Sequence, residues 1–142
     1  MVSSATGLRE SMITTKHLRA ISRERLRDAR ALLRARRFDG AYYTCGYAVE
    51  LALKARSCRT LKWTDFPETP QDFRALQSFK THDLAMLLRL SGVEARVNTR
   101  YVKEWSVVLK WRPEVRYRVV GHTTPEQATE MVEYCERLLA FL

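Results

Sequence analysis

Three arginines and a histidine fall within the eleven residues Arg112-Pro-Glu-Val-Arg116-Tyr117-Arg118-Val-Val-Gly-His122. Guanidinium groups fork onto phosphate oxygens, and an imidazole moves a proton near neutral pH. Together they suffice in principle for metal-free RNA cleavage, in which the 2′-OH attacks the adjacent phosphate. The competing reading from spacing alone is a solvated basic loop. Other chemistries find less support. His17, His82 and His122 have no second ligand at zinc spacing, so no metal site is expected. The glycines are solitary and form no phosphate-cradling loop, and no cofactor is implied. Cys45 is expected to be buried rather than nucleophilic.

Those residues need elements to position them. The chain has 142 residues, long enough for one hydrophobic core. We expect a polar tail over 1–16 and a single domain over 17–142. Apolar residues make up 46% and charged residues 29%, ordinary for a soluble globular protein. With five Gly and four Pro, nearly all outside the periodic segments, the composition favours helices over a turn-rich β fold. No apolar run reaches the roughly 18 residues of a membrane span, and the N-terminus lacks the apolar stretch of a secretory signal. Three cysteines without metal spacing suggest a reduced, cytoplasmic setting. The net charge of +9, carried mostly by Arg, favours nucleic acid or a polyanionic nucleotide as partner, although solubility alone would also account for it.

The periodicity predicts a first helix from near Thr15 to Arg37, with Leu18, Ile21, Leu26, Ala29, Leu32 and Leu33 inward. Arg23, Arg27, Arg30, Arg34 and Arg37 form an outer stripe. Phe38-Asp39-Gly40 breaks it, with Gly40 as the left-handed cap. A second helix, Ala41 to Cys58, is apolar nearly all round and belongs at the centre. Its small residues Ala41, Cys45, Ala48, Ala52 and Ala55 invite close helix approach. Tyr43, Tyr47, Glu50 and Lys54 share another face, and Glu50 with Lys54 makes an i,i+4 ion pair that orients the hairpin. Residues 59–80 carry Trp63, Phe66, Phe73 and Phe79, with a short helix expected to start at Thr69-Pro70 and the aromatics as a core lid, a dimer surface or a stacking platform. A third helix starts at Thr81 and ends at Gly92; a fourth spans Val93 to Lys110; Trp111 to His122 is an exposed basic connection; and a last helix opens on a Thr124–Gln127 capping box. The fold class is all-α, an up-and-down bundle of about five helices.

In this order the chain carries Ala48-Val-Glu50-Leu-Ala-Leu-Lys54, Thr81-His82-Asp83-Leu84 and Val115-Arg116-Tyr117-Arg118, after a helix that ends on the aromatic Phe38. The pattern resembles HEPN domains over roughly residues 20 to 142. The resemblance implies a five-helix bundle, usually a homodimer with a cleft between protomers, acting on RNA or nucleotides. Arg112, Arg116, Tyr117 and Arg118 would bind phosphate and base, with Tyr47, Glu50, Lys54 and His82 lining or ordering the cleft. Some HEPN proteins are ribonucleases that use an Arg followed after four to six residues by His, a spacing that Arg116 and His122 fit. Others bind without cleaving, often beside a nucleotidyltransferase in toxin–antitoxin or defence modules. Tyr117 follows Arg116 where the ribonuclease motif usually has a polar residue, and this Arg-Tyr form is closer to the binding group. Binding of nucleic acid or nucleotide in a dimer cleft is therefore the expected function. The alternatives are a metal-independent endoribonuclease using Arg116 and His122, and a pure interaction module for a nucleotidyltransferase partner.

Overall fold

Thr14 opens the first helix, its hydroxyl accepting a 3.0 Å hydrogen bond from the His17 amide. The computed structural model describes residues 12–61, 65–67 and 82–142. Helix α1 (Thr15–Arg34) buries Leu18, Leu26 and Ala29 against the next helix, while Ile21, Leu32 and Leu33 are half-buried. Ser22, buried among them, donates to the Ala48 carbonyl at 2.7 Å and ties the hairpin across its middle. Just before α1, β1 (Met12–Thr14) pairs antiparallel with β2 (Asp65–Pro67), Ile13 opposite Phe66.

The hairpin turn differs from expectation. Helix α1 ends at Arg34 rather than Arg37, and Arg36, not Gly40, takes the left-handed conformation with φ 61°. The Arg37 amide reaches back to the Leu32 carbonyl at 2.8 Å and the Arg36 amide to Leu33 at 3.0 Å, a Schellman closure that satisfies the last carbonyls. Helix α2 (Phe38–Thr60) therefore starts three residues earlier than its pattern suggested, with Gly40 in its first turn. A Cβ there would make ordinary contact with a Leu32 methyl at 3.4 Å, so this glycine neither caps a helix nor is demanded by packing.

Helix α2 is the centre of the bundle, packed against α1, α3, α6 and the turn before α6. Its small-residue stripe, Ala41, Cys45, Ala48, Ala52 and Ala55, is buried throughout. Helix α3 (Leu84–Ser91) is capped by Asp83, which accepts from the Ala85 and Met86 amides, in place of the expected Thr81. It ends as expected at Gly92, φ 80°. The expected fourth helix is two: α4 (Glu94–Arg100) and α5 (Val102–Val108). Tyr101 leaves helical geometry between them, and its ring stacks on Phe141 at 5.0 Å. The bend lets α4 bury Val97 while α5 carries Trp105 and Val108 onto α6. Helix α6 (Pro125–Phe141) has the anticipated capping box of Thr124 and Gln127 and buries Ala128, Met131, Val132, Tyr134, Cys135 and Leu138.

The architecture is an all-α bundle, with six α-helices among the described residues. No helix there is long and apolar enough to cross a membrane. Of the tail expected over 1–16, residues 12–16 form β1 and the start of α1; residues 1–11, Thr81, the short helix and aromatics expected over 68–80, and Trp63 lie outside the described residues.

Candidate functional site

The basic segment is anchored rather than loose. Trp111 and Val115 are buried, contrary to the expectation of an exposed connection throughout. The indole of Trp111 lies over Gly46, where any side chain would collide with it, and its Nε1–H donates to the Tyr43 carbonyl at 3.1 Å. Tyr47 meets the same indole edge-on, with centroids 6.0 Å apart. Pro113 then starts a short 3₁₀ turn (Pro113–Tyr117) that seats Val115 in the core and leaves Arg112, Arg116, Tyr117 and Arg118 exposed.

Arg116 leans back on α2. Its guanidinium approaches the Tyr43 hydroxyl at the 3.5 Å limit of a hydrogen bond and lies 4.8 Å from the Tyr117 ring centroid. Tyr43, Tyr47, Glu50 and Lys54 recur on one face of α2, as their spacing predicted. Glu50 is 1% exposed; its Oε2 pairs with Lys54 Nζ at 3.4 Å and its Oε1 with His82 Nδ1 at 2.8 Å. Burial, then the Glu50 charge, holds the Tyr47 hydroxyl above its ordinary pKa, so it remains a donor. With 1.5 Å of rise per residue, Arg116 beside Tyr43 and His82 beside Glu50 stand roughly 10 Å apart along the helix. Two segments distant in sequence thus bracket one face of α2.

His122 and Arg118 turn the other way. They line a shallow hollow with Tyr42, Lys110 and Gln127, while burial raises the Tyr42 hydroxyl pKa and Arg118 opposes it. Nδ1 of His122 lies 3.1 Å from the Val119 carbonyl and 3.2 Å from Asp39 Oδ1. Both neighbours are acceptors, so Nδ1 carries the proton. Nε2 is buried and has no partner among the described residues. No hydrogen bond or ion pair joins Arg116 and His122 within one chain; one rests on Tyr43 and the other on Asp39.

Asp39 is the residue that sequence reasoning missed. Its Oδ2 accepts from the Gly121 amide at 2.7 Å and its Oδ1 from the Thr123 amide at 3.0 Å. The Gly121 hydrogen bond foremost, then those from Thr123 and the His122 charge, hold its carboxyl below the usual range. Those partners are more than eighty positions away, so no local signal could reveal them. Between Arg118 and Gly121 the chain leaves Val119 and Val120 fully in solvent, 83% and 93% exposed.

No family model, curated protein or solved structure matches this chain. The motifs are placed as follows: Ala48 to Lys54 on α2, His82-Asp83-Leu84 opening α3, and Arg116-Tyr117 in the turn before α6. The Glu50–His82 contact joins the first two directly. Among the described residues, no group of His, Cys, Asp and Glu is arranged to hold a metal ion. The three cysteines are buried free thiols, and burial raises the Cys135 thiol pKa well above normal.

Proposed function

We propose that the chain is a HEPN-type protein that binds nucleic acid or nucleotide, as a homodimer, through the exposed turn carrying Arg116, Tyr117 and Arg118. The observation that carries this is the way Trp111 and Val115 pin the turn to the core while the Arg-Tyr-Arg side chains stay in solvent. A rigid base with exposed guanidinium groups binds phosphate without first ordering the loop. Tyr117, 76% exposed, offers a ring on which a base can stack. Glu50, Lys54 and His82 order the adjoining face. The motif order also supports a place in a toxin–antitoxin or defence module beside a nucleotidyltransferase partner. Fluorescence anisotropy with labelled single-stranded RNA and with nucleotides, over a salt series, tests the proposal. Arg116→Ala/Arg118→Ala removes two phosphate contacts and flattens the logarithmic salt slope by about 1.4. Unchanged affinity and slope would refute it.

One observation favours a second reading, a metal-independent endoribonuclease. Asp39 and the Val119 carbonyl fix the His122 ring, and its buried Nε2, which has no partner among the described residues, would act on RNA once uncovered. In that reaction the 2′-OH loses its proton and attacks phosphorus. The P–O5′ bond then breaks, leaving a 2′,3′-cyclic phosphate and a 5′-hydroxyl. His122 would be the general acid or base, and Arg116 would stabilise the pentavalent phosphate. Because the two residues of one chain do not meet, the pair would have to be completed across the dimer. Incubation with RNA in EDTA decides: cleavage lost in His122→Ala supports this reading, and no cleavage at any protein concentration removes it.

A further inference from the structure

The strongest unexplained charge cluster lies at the other end of α2. Arg19 from α1 and Arg56 from the last turns of α2 meet at the end of α6, and Arg23 of α1, Arg59 of α2 and Arg96 of α4 lie near enough to repel them. Arg19 Nη2 and Arg56 Nη1 both donate to the Leu142 main-chain oxygen, at 3.1 and 3.4 Å, so two cationic side chains share one acceptor. Arg56 Nε is buried with no partner. Among the described residues no carboxylate side chain pairs with any of the five. Burial, then repulsion from Arg59 and Arg23, lowers the Arg19 pKa; burial, then Arg59, Arg96 and Arg19, lowers that of Arg56. Even where Leu142 carries a free α-carboxylate, one negative charge is shared by the two guanidinium groups that touch it, with three more arginines nearby.

We propose that this arginine cluster is a second anion site, built for closely spaced phosphate groups such as a polyphosphate moiety or adjacent backbone phosphates of RNA. Like charges brought together from three helices oppose folding unless something neutralises them. Guanidinium forks match phosphate oxygens, and convergence on one small area suits a dense anion better than dispersed acidic side chains. The site is separate from the Arg116 face. Arg56 and Arg59 follow Tyr43 by 13 and 16 residues, roughly 20–24 Å along the helix. They also point away from Tyr43 around the axis, by about 140–160° at 100° per residue.

The test uses the full chain, with thermal unfolding and calorimetric titration in tripolyphosphate or a short single-stranded RNA at matched ionic strength. Three proteins are compared: wild type, Arg59→Gln/Arg96→Gln and Arg116→Ala/Arg118→Ala. Arg59 and Arg96 are exposed, so their replacement leaves the core intact. The expected result is that tripolyphosphate raises the Tm of wild type and of the Arg116/Arg118 variant. The Arg59/Arg96 variant should bind at least about tenfold more weakly and should melt higher than wild type without ligand, since repulsion is relieved. A Tm rise with RNA alone, lost in the same variant, assigns the phosphates to a nucleic-acid backbone. The proposal is overturned if neither anion raises the wild-type Tm, if the Arg59/Arg96 variant responds as wild type does, or if only the Arg116/Arg118 variant loses the response. The last outcome would leave the Arg116 face as the binding site.

Discussion

Replacing Gly46 by alanine tests the link between core packing and the basic turn. A Cβ at this position would lie closer than 3.0 Å to three atoms of the Trp111 indole, Cγ, Cδ1 and Nε1. Carbon atoms pack at about 3.5–4.0 Å, so the ring must retreat by on the order of 1 Å. It has little room, being buried, flanked by Tyr43 and Tyr47 and hydrogen-bonded to the Tyr43 carbonyl. Alanine favours the helix by about 1 kcal/mol over glycine. Overpacking costs about 1–3 kcal/mol, and full expulsion of a tryptophan about 3–5. With no room to shift, the ring is expelled, and subtracting the helix gain leaves a net destabilisation of about 2–4 kcal/mol, a fall in Tm on the order of 10 °C for a chain of this length. Urea and thermal unfolding measure it, and the indole N–H resonance that vanishes in Trp111→Phe should shift in Gly46→Ala. RNA affinity should fall as well, since Arg116 stands five residues beyond the displaced ring. Stability within about 0.5 kcal/mol of wild type, with that resonance unmoved, would refute the packing argument.

Other perturbations separate the supports of the two faces. Asp39→Asn should loosen the 118–123 segment and speed amide exchange at Gly121 and Thr123, whose amides it accepts. The folded-state pKa of Asp39 is depressed, so its contribution is present above the ordinary carboxylate range and is lost as pH falls through the folded value. Wild type should therefore lose more stability than Asp39→Asn on acidification below pH ~4, measured by urea midpoints. Glu50→Ala leaves Lys54 and His82 without their shared carboxylate and should cost about 3 kcal/mol, the lower end for breaking a buried pair, because His82 is exposed; a loss under about 1 kcal/mol in denaturant unfolding would contradict that. Thr124→Ala removes the capping box of α6 and should cost about 1 kcal/mol by the same measurement.

Periodicity alone located the elements that bury themselves. The apolar sides of α1 and α6, the all-round apolar α2 with its small-residue stripe, and the caps at Gly92 and Thr124 follow from side chains that repeat at helical spacing or act on neighbouring amides. The shared face of Tyr43, Tyr47, Glu50 and Lys54 was legible for the same reason. Long-range contacts decided the rest. The hairpin turn fell at Arg36, held in left-handed backbone without a glycine by two backbone bonds that close the end of α1. The fourth helix broke at Tyr101 where its ring found Phe141 on another element. The basic connection gained a rigid base because Trp111 met a notch at Gly46, sixty-five positions away. Only folding paired Glu50 with His82, hung Gly121 and Thr123 on Asp39, and turned Arg116 and His122 to different sides. Only folding, too, brought arginines of three helices near one another at the end of α6. Spacing along a chain reports which side of its own helix a residue occupies; which residues meet across helices is set by how those helices pack.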